Sequence, residues 1–233
     1  MSVGDEPQVL AAALAAAPLT RWLSLIDART AELPASHPDR QATSGSLRLP
    51  ALGAVVLGDM LRTLCAGPAA PILRARLGPA PLCLVGQSWA RCQYPAARRP
   101  QGQHPHQWHQ DGALGCCFDA EPCVLIEMLT LWIPLMDCGE HAPSLQWLCV
   151  HPAPAVPLPP AELTDEALAQ RWGQTVRRHA TLRVGDALIL DGALLHRSHV
   201  TAAMTQRRVS IELRFVAVLP PRLRHEPVLV APL

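Results

Sequence analysis

Lysine is missing from this chain. All 20 basic residues among its 233 are arginines, which alongside 24 prolines and abundant alanine reads as coding bias as much as physics. An excess of either charge is missing too. The formal net charge is +1, so nothing electrostatic directs the chain to nucleic acid or to an anionic membrane surface. The first apolar run, Val9 to Ala17, is too short to span a bilayer. Asp5 and Glu6 stand before it in place of the basic residues of a secretory leader. No Cys-x-x-Cys pair occurs among Cys65, Cys83, Cys92, Cys116, Cys117, Cys123, Cys138 and Cys149. A structural zinc site therefore lacks its usual paired ligands, and the adjacent Cys116-Cys117 is a poor substitute. The thiols are expected to be reduced, mostly buried, and cytoplasmic. There is no internal repeat, no low-complexity tail and no sign of a second domain.

What is present suits one domain over residues 1–233 with a sizeable core, since 49% of the residues are hydrophobic. Residues 1–80 read as a helical layer. Residues 8–33 form two helices divided at Pro18, and Ala51–Cys65 and Ala69–Leu77 form two more, closed by Gly67-Pro68 and Gly78-Pro79. Residues 82–218 read as strands: Leu82–Cys92, His106–Asp111, one long strand or a pair within Cys123–Met136, Ser144–Val150, Thr181–Asp191 and Arg207–Val218. An insertion at 152–178 opens on Pro152, Pro154, Pro157, Pro159 and Pro160. It leads into a helix from Asp165 to Arg178 with Thr164 as N-cap. The fold class is mainly β with flanking helices, a sandwich or jelly roll beside an N-terminal helical layer.

The chemistry starts at Trp108-His109-Gln110-Asp111-Gly112. On an extended strand, residues two apart point to the same face. His109 and Asp111 thus present an imidazole and a carboxylate together, two corners of a 2-His-1-carboxylate iron triad. The third corner is His196, 87 positions later, after the apolar run Ala187–Leu190. Ser198 shares its face. On the last long strand the odd positions Arg207, Val209, Ile211, Leu213 and Phe215 are otherwise apolar, which predicts that Arg207 points inward with them. A buried arginine needs an anion. The distal carboxylate of a dicarboxylic keto acid fits its planar fork. An internal salt bridge to Asp186 or Asp191 is the competing reading.

Together with Leu131-Trp132-Ile133-Pro134-Leu135-x-Asp137, Leu194-Leu195-His196-Arg197-Ser198 and Arg207-Arg208, the His-x-Asp stretch resembles the phytanoyl-CoA dioxygenase family. The resemblance covers residues 82–218. It implies a double-stranded β-helix core, a cupin-like jelly roll, and an Fe(II)- and 2-oxoglutarate-dependent dioxygenase consuming O2. It implies that His109, Asp111 and His196 bind iron, that Arg207 and Ser198 hold 2-oxoglutarate, and that Trp132 lines the cosubstrate pocket. Gln87 and Arg91 would add polar contacts from one face of a strand. Asp111 stands where related halogenases carry a small residue, so hydroxylation of an aliphatic C–H bond is expected, with release of succinate and CO2. The chain departs from the family at Cys149-Val150-His151-Pro152 and at His141-Ala142-Pro143-Ser144, near the pocket mouth. The expected substrate is a small molecule or acyl compound, with 152–178 as a lid and with no nucleic acid or membrane partner. The residues leave the oligomeric state open. A zinc hydrolase on the same ligand set, or a non-catalytic domain binding a small acid, are the alternatives.

Overall fold

A computed structural model describes residues 6–118, 123–150, 154, 156–173 and 176–233. In chain order the elements are β1 (Gln8–Leu10), α1 (Ala16–Glu32), β2 (Arg40–Gln41), β3 (Ser46–Arg48), α2 (Ala54–Cys65), α3 (Ala69–Leu77), β4 (Leu82–Cys83), β5 (Trp89–Gln93), β6 (Met128–Pro134), β7 (Ser144–Cys149), α4 (Asp165–Trp172), β8 (Val176–His179), β9 (Ala187–Asp191), β10 (His196–His199), β11 (Arg208–Val216) and β12 (Leu229–Val230). The larger sheet runs β1-β9-β6-β11-β5-β3-β2, with β4 added on β11 and β12 on β4, and the smaller runs β10-β7-β8. All pairings are antiparallel. This is the two-sheet jelly roll, mainly β, that the sequence suggests.

The helical layer covers one face of the larger sheet. On α1, Leu19, Trp22 and Ile26 recur at helical spacing and are buried. With Leu57, Met60, Leu61 and Leu64 of α2 and Leu73 of α3 they share one core with Leu131 and Ile133 of β6 and Val209, Ile211, Leu213 and Phe215 of β11. The opposite face of the same strands meets the smaller sheet. There Trp132, Leu188 and Leu190 pack with Leu145 and Trp147. β6 is consequently buried at every position, which accounts for its unbroken apolar sequence.

Several boundaries differ from the sequence reading. Residues 8–10 are a strand on β9, and Pro18 lies in the first turn of one helix, where its missing N–H costs nothing. The stretch 82–92 is interrupted by a 3-10 turn at Val85–Gln87, so Gln87 and Arg91 do not sit on one strand. Thr164 caps α4 as expected, accepting from the Ala167 N–H at 3.1 Å, but α4 ends at Trp172 before Gly173, whose φ is +69°. Arg177 and Arg178 lie on β8 instead. The expectation of wholly reduced cysteines is corrected at Cys116–Cys123, which are disulfide-bonded; the other six are free. His151 and Pro152 lie outside the described residues.

Candidate metal and cosubstrate site

His109 lies on no regular strand. It forms a single antiparallel bridge with His196, the first residue of β10. The His109 N–H donates to the His196 carbonyl at 3.0 Å, and the His196 N–H returns the bond at 3.1 Å. The chain then turns at Asp111–Ala113. Gly112 makes that turn possible: a Cβ there would lie 2.8 Å from the Ile126 carbonyl oxygen and 2.9 Å from that of Gly192. His109, Asp111 and His196 consequently offer one ligand atom each, all within 4.8 Å of one another. His109 Nε2 is 3.9 Å from Asp111 Oδ1, and His196 Nε2 is 4.0 Å from Asp111 Oδ2.

Each of these side chains is held from behind. His109 Nδ1 donates to the Gln107 carbonyl (2.7 Å) and His196 Nδ1 to that of Leu194 (3.0 Å), which leaves both Nε2 atoms free for a ligand role. Asp111 accepts from Thr130 Oγ1 at 2.6 Å and from Arg214 Nη2 at 2.7 Å. Burial pushes the Asp111 carboxyl up, but Arg214, the two histidines and Thr130 together outweigh it and hold it well below the usual carboxylate range. His109 keeps one edge on the cleft, 31% exposed. Burial and the neighbouring His196 nevertheless push its pKa down to about 4, so it is neutral at pH 7. A neutral His109 imidazole beside an ionised Asp111 carboxylate suits a metal, which binds the deprotonated forms of its ligands.

Two spaces meet at this triad. An outer cleft of about 820 Å³ is walled by Trp89, Trp108, Phe118, Leu158 and Leu163, with the amides of Gln41, Gln87 and Gln107. A narrow inner chamber of about 10 Å³, room for about one water, lies between the sheets, lined by Thr130, Trp132, Leu145, Leu190, Ser198 and Arg208. Arg91, His106, His109 and Asp111 border both.

The structure brings His109, Asp111, His196, Ser198, Trp132 and Arg91 around this junction and excludes Arg207. Arg207 precedes β11 and faces the helical layer, where it pairs with Asp27 of α1 at 2.6 and 2.9 Å. Neither Asp186 nor Asp191 is its partner. Both faces of β11 are buried, so an apolar row is no guide to which face lines the site. The odd row packs on helices, and the even row, Arg208, Ser210, Glu212 and Arg214, faces the interior. Arg208 is 1% exposed. It stacks 5.2 Å from the Trp132 ring centroid, and its Nε and Nη1 have no hydrogen-bond partner, nor has Trp132 Nε1. An unpaired cation buried this deeply is very costly, so it marks a place for an anion. Glu212 is not that anion, for it is taken by Arg91 (2.6 Å) and Arg214 (3.4 Å). Gln87 reaches the outer cleft but donates to Glu226 at 2.6 Å.

The sequence reading missed Arg208, Arg214, Thr130 and Glu212. A signal was available: three charged residues alternate on a strand whose other face is wholly apolar.

A family model described as phytanoyl-CoA dioxygenase matches residues 57–209. No curated protein sequence matches the chain significantly. Among solved structures, the α-ketoglutarate-dependent epimerase SnoN of nogalamycin biosynthesis superposes with a TM-score of 0.66 at 14% identity, over 91% of this chain and 78% of that one. EctD from S. alaskensis, with 2-oxoglutarate and 5-hydroxyectoine, gives 0.63 at 19% identity over 92% and 73%. HygX from Streptomyces hygroscopicus, with nickel and 2-oxoglutarate, gives 0.59 at 14% identity over 96% and 90%. At these identities the likeness is one of fold.

Proposed function

The chain belongs to the phytanoyl-CoA dioxygenase family and is an Fe(II)- and 2-oxoglutarate-dependent oxygenase, and we propose that it hydroxylates an aliphatic C–H bond of a small molecule held in the outer cleft. The observation that carries the site assignment is Arg208, a buried guanidinium with two unpartnered nitrogens on the chamber that adjoins His109, Asp111 and His196. In this reading the triad holds the iron, Arg208 and Ser198 hold the distal carboxylate of 2-oxoglutarate, and Trp132 floors its chamber. Bound there, the iron supplies the chemistry that couples conversion of 2-oxoglutarate and O2 to succinate and CO2 with oxidation of the substrate. The protein supplies everything else. Thr130 and Arg214 keep Asp111 ionised and oriented. The Gln107 and Leu194 carbonyls keep both imidazoles in one tautomer. Trp132, Leu145 and Leu190 keep the chamber free of bulk water. A zinc hydrolase would have no use for Arg208.

The cleft supports a weakly charged substrate. Arg91, Arg197 and Arg214 on its wall are each paired with a carboxylate (Glu212, Asp165 and Asp111), and the sequence holds no lysine. Such a wall favours a small neutral or amine-bearing molecule over a polyanionic acyl thioester. Like the expected absence of nucleic acid, this follows from charge. No helix among the described residues is long and apolar enough to cross a membrane. The cytoplasmic setting proposed here rests on the six free thiols alone. The position of Leu158–Glu166 along the cleft supports a covering role for the insertion.

The test is an anaerobic titration of metal-free protein with Fe(II) and then 2-oxoglutarate, reading the visible charge-transfer band of the chelate. A band in wild type, abolished in His196→Ala and needing far more 2-oxoglutarate in Arg208→Gln, is expected. Iron-loaded wild type without a band would refute the assignment.

A further inference from the structure

The insertion after β7 meets the ligand-bearing segments at one carboxylate. Asp165, the first residue of α4, accepts from Trp108 Nε1 at 2.8 Å and from Arg197 Nη1 at 2.9 and 3.0 Å. Arg177 Nη1 approaches it at 3.0 Å. Arg197 and Arg177 both lie over the Trp108 ring, 4.4 and 5.8 Å from its centroid. Trp108 immediately precedes His109, and Arg197 immediately follows His196. The backbone rung that joins the two histidines is thus flanked, on both segments, by residues held by the same side chain. A second tie lies beside it: Gln110 accepts from the Leu158 N–H at 2.9 Å and donates to the Ala193 carbonyl at 3.1 Å.

Resting on the metal-site reading above, we propose that Asp165 is a positioning residue for that site: by clasping Trp108 and Arg197 it couples the seating of the insertion over the cleft to the placement of His109 and His196. Without Asp165, two guanidiniums would share one indole with no anion between them, and their mutual repulsion would part Arg197 from Trp108. That parting acts directly on the His109–His196 rung. Asp165 touches no ligand itself, so its removal should cost less than the roughly 10–100-fold that follows loss of a direct partner of a ligand. Coupling of this kind is reciprocal, so a metal on the triad should in turn hold the insertion down.

The experiment compares Co(II) binding and hydrogen exchange across residues 156–172 in wild type, Asp165→Ala, Asp165→Asn and Glu162→Gln. Glu162→Gln removes an ion pair internal to the insertion, with Arg171, and touches neither Trp108 nor Arg197. Expected are a loss of about threefold to tenfold in Co(II) affinity for Asp165→Ala, at or below the lower end of what a direct ligand partner costs, and a smaller loss for Asp165→Asn, which keeps an acceptor for the indole. Glu162→Gln should stay within about twofold of wild type. Exchange across 156–172 should slow on Co(II) binding in wild type and not in Asp165→Ala. Should Asp165→Ala fail to fold, Asp165→Asn decides. Equal Co(II) affinity in wild type and the Asp165 variants, with equal protection of the insertion, overturns the proposal and leaves the metal site standing. Wild type that binds no Co(II) removes the metal site itself.

Discussion

Arg214 Nη2 lies 2.7 Å from Asp111 Oδ1, and both side chains are nearly solvent-free, at 6% and 4% exposure. Asp111 is the only carboxylate of the triad, so this contact sets its charge before any metal arrives. Arg214→Met should leave Thr130 as the side-chain hydrogen-bond donor to Asp111, with the two histidines beside it, and let its pKa climb as the largest opposing charge is lost. The expected result is about 10–100-fold weaker metal binding and about 3–5 kcal/mol lower stability of the metal-free protein, the usual consequence of orphaning one member of a buried pair. Metal titration and urea unfolding read the two effects separately. Unchanged metal affinity would show that Arg214 does not tune the ligand.

Arg208 and Arg207 provide a matched contrast, because they are adjacent and face opposite ways. Arg208→Gln should weaken 2-oxoglutarate by about 100-fold, the loss of a charge-assisted fork worth roughly 3 kcal/mol. Arg207→Gln breaks only the pair with Asp27, whose partners are 34% and 40% exposed. It should leave 2-oxoglutarate affinity within about twofold and cost at most about 1 kcal/mol of stability. Calorimetry of 2-oxoglutarate binding to the Co(II) protein distinguishes them, and the reverse ranking would overturn the assignment.

Acid should destabilise the metal-free protein in two stages. Burial, then the Arg91 charge, pushes His106 down to about 3, and burial with His196 pushes His109 to about 4. His199 is lowered as well, by burial and His179. The unfolded chain protonates these rings near pH 6.5. Between about 6.5 and 4 it therefore binds more protons than the native state, and stability falls as pH falls, by about 1.4 kcal/mol per pH unit per proton. Glu212 follows. Burial opposes its ionisation, but Arg91 and Arg214 win and hold it at about 2, so its contribution is complete above the normal carboxylate range and lost as pH falls toward 2. Urea midpoints at half-unit steps from pH 7.5 check this. His106→Gln should reduce the first slope by about one proton.

Gly112→Ala should damage the site without touching a ligand. The added Cβ would meet the carbonyl oxygens of Ile126 and Gly192 inside 3 Å, and neither backbone can swing away. A lower melting temperature together with weaker metal binding is expected. A fully stable variant with wild-type affinity would mean that the turn after Asp111 has slack.

Much of this was legible in the residues. The convergence of His109, Asp111 and His196 was legible because ligand chemistry restricts the residue types and a strand-end histidine follows the His-x-Asp stretch. The Thr164 cap and the strand cores were legible from local rules. Arg207 was misread because alternation fixes which residues share a face but not what each face meets. That depends on the helices packed across β11, a tertiary fact. Asp165 was invisible for the same reason: its partners lie 57 and 32 positions away. The Cys116–Cys123 pair joins residues seven apart, a spacing that matches no metal motif and left only compartment arguments, which pointed the other way.

The rung between His109 and His196 gives the site a parity. Because the two imidazoles hang from residues that exchange backbone hydrogen bonds, the spacing of their Cα atoms is inherited from the ladder, and the Nδ1 bonds to Gln107 and Leu194 then orient the rings. A one-residue slip of β10 would turn His196 outward and bring Leu195 or Arg197 to face the carboxylate, and a two-residue slip would keep the face but put Leu194 or Ser198 in its place. The connection from Asp191 to His196 can therefore vary in length only where the loop absorbs the change and leaves the His109–His196 rung in place.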